Sequence, residues 1–176
     1  MAAQKRIHVP DDEIDPRYPT GESPERRAAR LAREALRPRT LIEMIAAAGF
    51  LASRVNSDIN ERNYPLAKEG FFDPAGLYLF GGEREWTINE VKAAVAAEGG
   101  RLEGLVRGLA YLKANPKALK DGPIVFPASS WVHPHGLLVP YAFVDGGEPS
   151  LVLLWVSPEH RWRRHYRFLV SRKSST

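Results

Sequence analysis

"GLLVPYAFVDGGEPSLVLLWV", residues 136–156, sets two apolar runs on either side of Asp145-Gly146-Gly147-Glu148. Two such runs around a glycine-rich turn predict a β-hairpin. Leu151–Val156 is apolar at every position, which predicts a central strand buried on both faces. Pro140 interrupts the first run. Because proline lacks an N–H for the ladder, its strand is predicted at an edge or at a bulge. Working outward, three further short runs have strand character: Ile124–Phe126, Ser130–His133 and Arg164–Ser171. With Leu137–Val144 and Leu151–Val156 they predict an antiparallel meander over residues 121–173.

Upstream of Lys120 the apolar period changes from two to the helical repeat. Ser23-Pro24-Glu25 predicts a helix start, running to about Leu36 and stopped by Pro38. "TLIE" (40–43) and "TINE" (87–90) are capping boxes, in which a threonine and a glutamate satisfy each other's backbone N–H groups. Ile42, Ile45 and Ala46 are predicted as the buried stripe after the first box. Ile88, Val91 and Val95 form the stripe after the second. Leu102, Leu105, Val106, Leu109 and Leu112 then predict a core helix beginning near Leu102, so residues 87–114 read as a helical hairpin broken by "EGG". Leu77–Phe80 is predicted as a short buried strand. The fold class is therefore α+β: N-terminal helices and a helical hairpin, then an antiparallel meander sheet covered on one face by helix. Residues 1–22, with Asp11, Asp12, Glu13 and Asp15 among three prolines, read as an extended acidic arm. Residues 23–176 read as one domain, helical over 23–120.

The bulk composition narrows the function classes. The 176 residues are 44% hydrophobic and 26% charged, ordinary for a globular chain. No cysteine is present. That excludes disulfides and thiolate metal sites, and it fits a cytoplasmic protein. No apolar run approaches a membrane span, and "MAAQKRIHVPDDE" lacks the apolar centre of a signal peptide. Net charge is +4. The excess sits at the C-terminus, where Arg161, Arg163, Arg164, Arg167, Arg172 and Lys173 face only Glu159. A second, mixed cluster lies at Arg26, Arg27, Arg30, Arg33, Arg37 and Arg39.

Each motif has a competing structural explanation. The helical hairpin has the length of a helix-turn-helix, but a recognition helix needs polar side chains for base edges and this one is dominated by leucine. His133 and His135 in "HPHG" could share a metal ion with His160 or His165. Pro134 and Gly136 make a solvated turn the simpler reading. Ser129 and Ser130 have no nucleophile elbow around them, and no phosphate-binding glycine loop is present. Glu90, beside Lys92, already serves a capping box. No cofactor is implied.

"SPEHRWRRHYRFLV", residues 157–170, carries the strongest functional signal. If residues 161–170 form one strand, alternation places Arg161, Arg163, His165 and Arg167 on one face and Trp162, Tyr166, Phe168 and Val170 on the other. Same-face residues would then lie about 6.8 Å apart, a spacing suited to successive phosphates, while nearby aromatics could stack on unpaired bases. The expectation is a non-enzymatic binding protein touching the nucleic-acid backbone through Arg161, Arg163, Arg164, His165, Arg167, Arg172 and Lys173. An interaction module for acidic proteins is the nearest alternative. A metal-independent ribonuclease using His165, Tyr166 and Arg167 is a further one. The acidic arm could also cover the basic strip as a phosphate mimic.

Overall fold

The computed structural model describes residues 26–29, 40–66, 76–133 and 136–172. The chain divides into two compact units, Met1–Arg37 and Pro38–Thr176. Within the first, residues 26–29 are helical, inside the helix predicted after Pro24. The acidic arm lies outside the described residues.

Two helices form where the capping boxes predict them, and a third follows the leucine pattern from Leu105 onward. Helix α1, Leu41–Ala47, and helix α2, Ile88–Ala97, each start at a complete capping box, Thr40 with Glu43 and Thr87 with Glu90. In α1 the buried pair is Leu41 and Ile45, spaced i and i+4. Ile42, predicted in that stripe, is 72% exposed because it lies one position round the helix from Leu41. Helix α3, Leu105–Ala114, buries Leu105, Val106, Gly108, Leu109 and Leu112, as the leucine pattern requires.

The seven strands are β1 (Leu77–Gly81), β2 (Gly100–Leu102), β3 (Ile124–Val125), β4 (Trp131–His133), β5 (Gly136–Asp145), β6 (Glu148–Val156) and β7 (Arg167–Arg172). Hence α2 and α3 are not a helix-turn-helix, because β2 runs between them and pairs with β7. Leu102, expected to open the helix, ends this strand instead. The next residue, Glu103, continues the ladder by donating its N–H to the Leu169 carbonyl at 2.9 Å. Its carboxylate is buried and accepts from Arg101, Arg107 and Ser171. A buried carboxylate needs that company, so the partners hold this corner in strand form.

The sheet is mixed rather than a pure antiparallel meander. β4, β5 and β6 do follow one another antiparallel. β7 does not add beside β6. It crosses to pair antiparallel with β1 and β2 and parallel with β3. The apolar run Leu151–Val156 of β6, predicted central, therefore stands at an edge, joined on its far side among the described residues by one bridge, Val55 to Leu151. Its apolar character has another cause, since both faces of the sheet are covered. Leu41, Ile45, Leu105, Leu109 and Leu112 from α1 and α3 pack with Ile124, Ala142, Leu151 and Leu169. Val91 and Val95 from α2 pack with Trp86, Trp162, Val125, Val139, Phe168 and Val170. Coverage of one face alone was thus too simple.

Pro140 has the reverse history. It lies in the interior strand β5, opposite Leu153. Its carbonyl accepts from Phe126 N–H at 2.9 Å, so its nitrogen points to the same side, between the two short partners β3 and β4. There the chain turns through Pro127–Ser129, and a missing N–H interrupts no ladder. The β5–β6 turn forms as predicted, with Gly146 and Gly147 at φ of 59° and 85°, the positive values a two-residue hairpin demands.

Gly108, in the middle of α3, exists for space. A Cβ there would lie 2.2 Å from the ring of Phe126, which is fully buried. Gly108→Ala should therefore destabilise the fold by about 1–3 kcal/mol in denaturant unfolding, although alanine favours helix. Unchanged or raised stability would show that the ring can move aside.

Candidate nucleic-acid interface

The connection between β6 and β7, residues 157–166, carries most of the predicted site. It is tied down at its middle. Trp162 and Trp86 exchange both backbone bonds, Trp86 N–H to Trp162 O at 3.1 Å and Trp162 N–H to Trp86 O at 2.8 Å. The Trp162 ring is 1% exposed, and it meets His160, Tyr166 and Phe168 at centroid distances of 4.9, 5.3 and 5.9 Å. With Trp162 pointing inward, the side chains before and after it point outward. Arg161 and Arg163 are both exposed.

Alternation stops there. Tyr166 N–H bonds the Arg163 carbonyl at 2.9 Å and closes a turn with Arg164 and His165 exposed at its tip. The continuous strand expected over 161–170 is replaced by this turn, and β7 begins only at Arg167. Gly122 explains the fit of the turn. With φ at +130°, it approaches the His165 carbonyl so closely that a Cβ would sit 2.4 Å from the oxygen.

Arg167 leaves the cationic row. Its side chain is 15% exposed, and its Nη2 donates to the Ala118 carbonyl at 2.6 Å and the Gly122 carbonyl at 3.2 Å. Asp121 lies 3.5 Å from its Nη1. The guanidinium thus straps the 118–122 segment to the start of β7. It also borders a cleft of about 490 Å³ lined by Leu79, Tyr111, Asn115, Lys117 and Asp121. Burial raises the Tyr111 pKa, and the nearby Arg167 charge opposes that rise. Arg172 lies at the opposite end of β7, about 17 Å away along a strand, with its guanidinium 5.6 Å from the Tyr78 ring centroid. Lys173 and His135 are outside the described residues.

The structure therefore groups Arg161, Arg163, Arg164 and His165 and separates Arg167 and Arg172 from them. Pairing separates them from Arg167 but not from Arg172, which has no carboxylate partner among the described residues either. Arg54, Arg84, Arg101, Arg107 and Arg167 each have a carboxylate within 4.0 Å. Among the described residues, Arg161, Arg163 and Arg164 have none. His133 stands at the end of β4 between Trp131 and Trp155, with ring centroids 5.5 and 5.0 Å away. Among the described residues no three His, Asp or Glu side chains converge as a metal site would require. No helix among them is long and apolar enough to cross a membrane.

Two residues at this end of the molecule were not singled out from sequence. Trp86 supplies the backbone partner of Trp162, and Arg84 lies over the Trp86 ring at 3.6 Å. Their i, i+2 spacing in "EREW" is the local signal, since alternate residues of extended chain share a side. No protein-family profile, curated protein or solved structure matches the chain.

The contrast between neighbours is measurable. Arg167→Ala leaves two carbonyls without their donor and should cost about 1–3 kcal/mol in urea unfolding. Arg163→Ala, at an exposed turn, should stay within about 0.5 kcal/mol of wild type. Equal losses would mean that Arg163 too is a structural strap.

Proposed function

We propose that this chain is a non-enzymatic nucleic-acid-binding protein that grips the phosphate backbone through Arg161, Arg163 and Arg164, with His165 beside them. The observation carrying this reading is the group of exposed guanidiniums, unpaired with any carboxylate of the described residues, on a turn that buried Trp162 holds in place. Unpaired arginines are solvated donors with a planar fork that matches phosphate oxygens. Holding them in advance lowers the ordering cost of binding. Arg167 belongs to the scaffold of this site and not to its contact surface, because its side chain is 15% exposed and its Nη2 donates to the Ala118 and Gly122 carbonyls. The guanidinium that the ribonuclease alternative named, Arg167, is bonded to these two carbonyls, while Arg163 and Arg164 remain exposed beside His165. A cytoplasmic setting accords with the absence of cysteine.

The reading is tested by fluorescence anisotropy with labelled oligonucleotides across a salt series. Wild type should bind with log Kd linear in log salt. Arg161→Ala/Arg163→Ala/Arg164→Ala should lower the slope by about 2 on single strands, close to 0.7 per lost phosphate contact. Poly-glutamate as competitor covers the acidic-protein alternative. Absence of binding at low salt, an unchanged slope, or tighter binding to poly-glutamate would overturn the proposal.

A further inference from the structure

Arg167 has hydrogen-bonding capacity that the fold does not use. Its side chain is 15% exposed, and Nη2 alone serves the Ala118 and Gly122 carbonyls. Nε is buried and has no hydrogen-bond partner among the described residues. Nη1 has the Asp121 carboxylate 3.5 Å away, well beyond the usual length of a charge-assisted hydrogen bond, on a side chain that is 78% exposed. A guanidinium carries five N–H donors, and leaving them unmet in a largely buried place is costly.

Strand register fixes what surrounds this group. Arg167 stands two residues before Leu169 on β7, so both side chains are on the sheet face that α1 and α3 cover. Leu79 lies opposite Leu169 on β1 and shares that face. Tyr111 and Ala118 pack against the same core. These residues, with Lys117 and Asp121, line the cleft of about 490 Å³, a volume within the range of small-ligand sites. The Tyr111 phenol is near enough to Arg167 to feel its charge, and burial keeps it protonated at neutral pH, so its hydroxyl can donate. Arg167 and Lys117 outweigh Asp121, which leaves the lining with a net positive charge. The negative pole of α3, which ends at Ala114, is offset by Lys113 in its last turn.

We propose that this cleft binds a small organic carboxylate, whose oxygens take Nη1 of Arg167 and the Tyr111 hydroxyl while its carbon body lies on Leu79 and Ala118. Two donors on separate elements suit the two oxygens of a planar carboxylate. Asp121 shows the same preference within the chain, an exposed carboxylate drawn to Nη1 without closing to bonding distance. The nucleic-acid reading rests on the turn at Arg161, Arg163 and Arg164, and this site stands or falls separately from it.

The probe is benzoate, with benzamide as the uncharged control and phenyl phosphate as the competing anion. Each is titrated into labelled wild type, Tyr111→Phe and Lys117→Gln, with urea unfolding to confirm the fold, and followed at the Arg167 Nε–H and the Leu79 and Ala118 amides. Benzoate should give saturable shifts at these residues and benzamide none. Tyr111→Phe, which keeps the packed ring, should weaken benzoate about tenfold, the effect of losing a hydrogen bond to a charged group. Lys117→Gln, exposed at the rim, should weaken it by no more than about fivefold. No saturable shift, equal binding of benzamide, or wild-type affinity in Tyr111→Phe would overturn the inference. Tighter binding of phenyl phosphate would overturn the assignment to carboxylates.

Discussion

Trp162 is the constraint on which the connection between β6 and β7 depends. A ten-residue connection lies between two strands that do not pair with each other, and left alone it would sample many conformations. One buried indole and a reciprocal backbone bond to Trp86 convert it into a defined loop. Both parts of the anchor matter. The ring removes a large apolar surface from water, worth about 3–5 kcal/mol for an aromatic in a core. The backbone pair satisfies polar groups that this burial would otherwise strand. Outward projection of Arg161 and Arg163 follows directly, because neighbours of an inward residue in extended chain face the other way.

The mixed sheet gives the anchor something to hold to. β7 is the interior strand, with β1 along one side and β2 and β3 along the other, and Phe168, Leu169 and Val170 are fully buried. Arg167 begins this strand at the point where the buried sheet meets the exposed turn. Its guanidinium serves the 118–122 segment, which in turn closes on the His165 carbonyl through Gly122. Buried charge in this fold is consistently matched. Glu103 is met by Arg101 and Arg107, and Arg167 by carbonyls and Asp121. Against that background, Arg161, Arg163 and Arg164, like Arg62 and Arg172, have no carboxylate partner among the described residues.

Local signals were legible in the sequence, and long-range pairing was not. Capping boxes at Thr40 and Thr87, the leucine stripe of α3 from Leu105 onward, the half-buried β1 and the Gly146–Gly147 turn depend on neighbours a few residues apart, and these formed where their patterns placed them. The order of strands depends on which edges meet, and apolar content does not encode that. Leu151–Val156 looks like a central strand because both faces are covered, yet it stands at an edge. Pro140 looks like an edge residue, yet it sits inside, at the gap between two short partners. The same limit governs the site. Arg161, Arg163, Arg164 and His165 came together because they are contiguous. Arg167 departed because a turn closed at Tyr166 and broke the alternation.

On the proposed function, a rigid scaffold, Trp162 and Arg167 included, presents a small set of arginines that have no carboxylate partner among the described residues. An NMR titration of the labelled protein with a single-stranded oligonucleotide tests this most directly, following arginine side-chain Nε–H signals together with backbone amides. Signals of Arg161, Arg163 and Arg164 should shift in step with ligand, while the Arg167 side chain and the Trp86 and Trp162 amides keep their free positions. Shifts concentrated at Arg167, or loss of the Trp86–Trp162 pairing on binding, would contradict it.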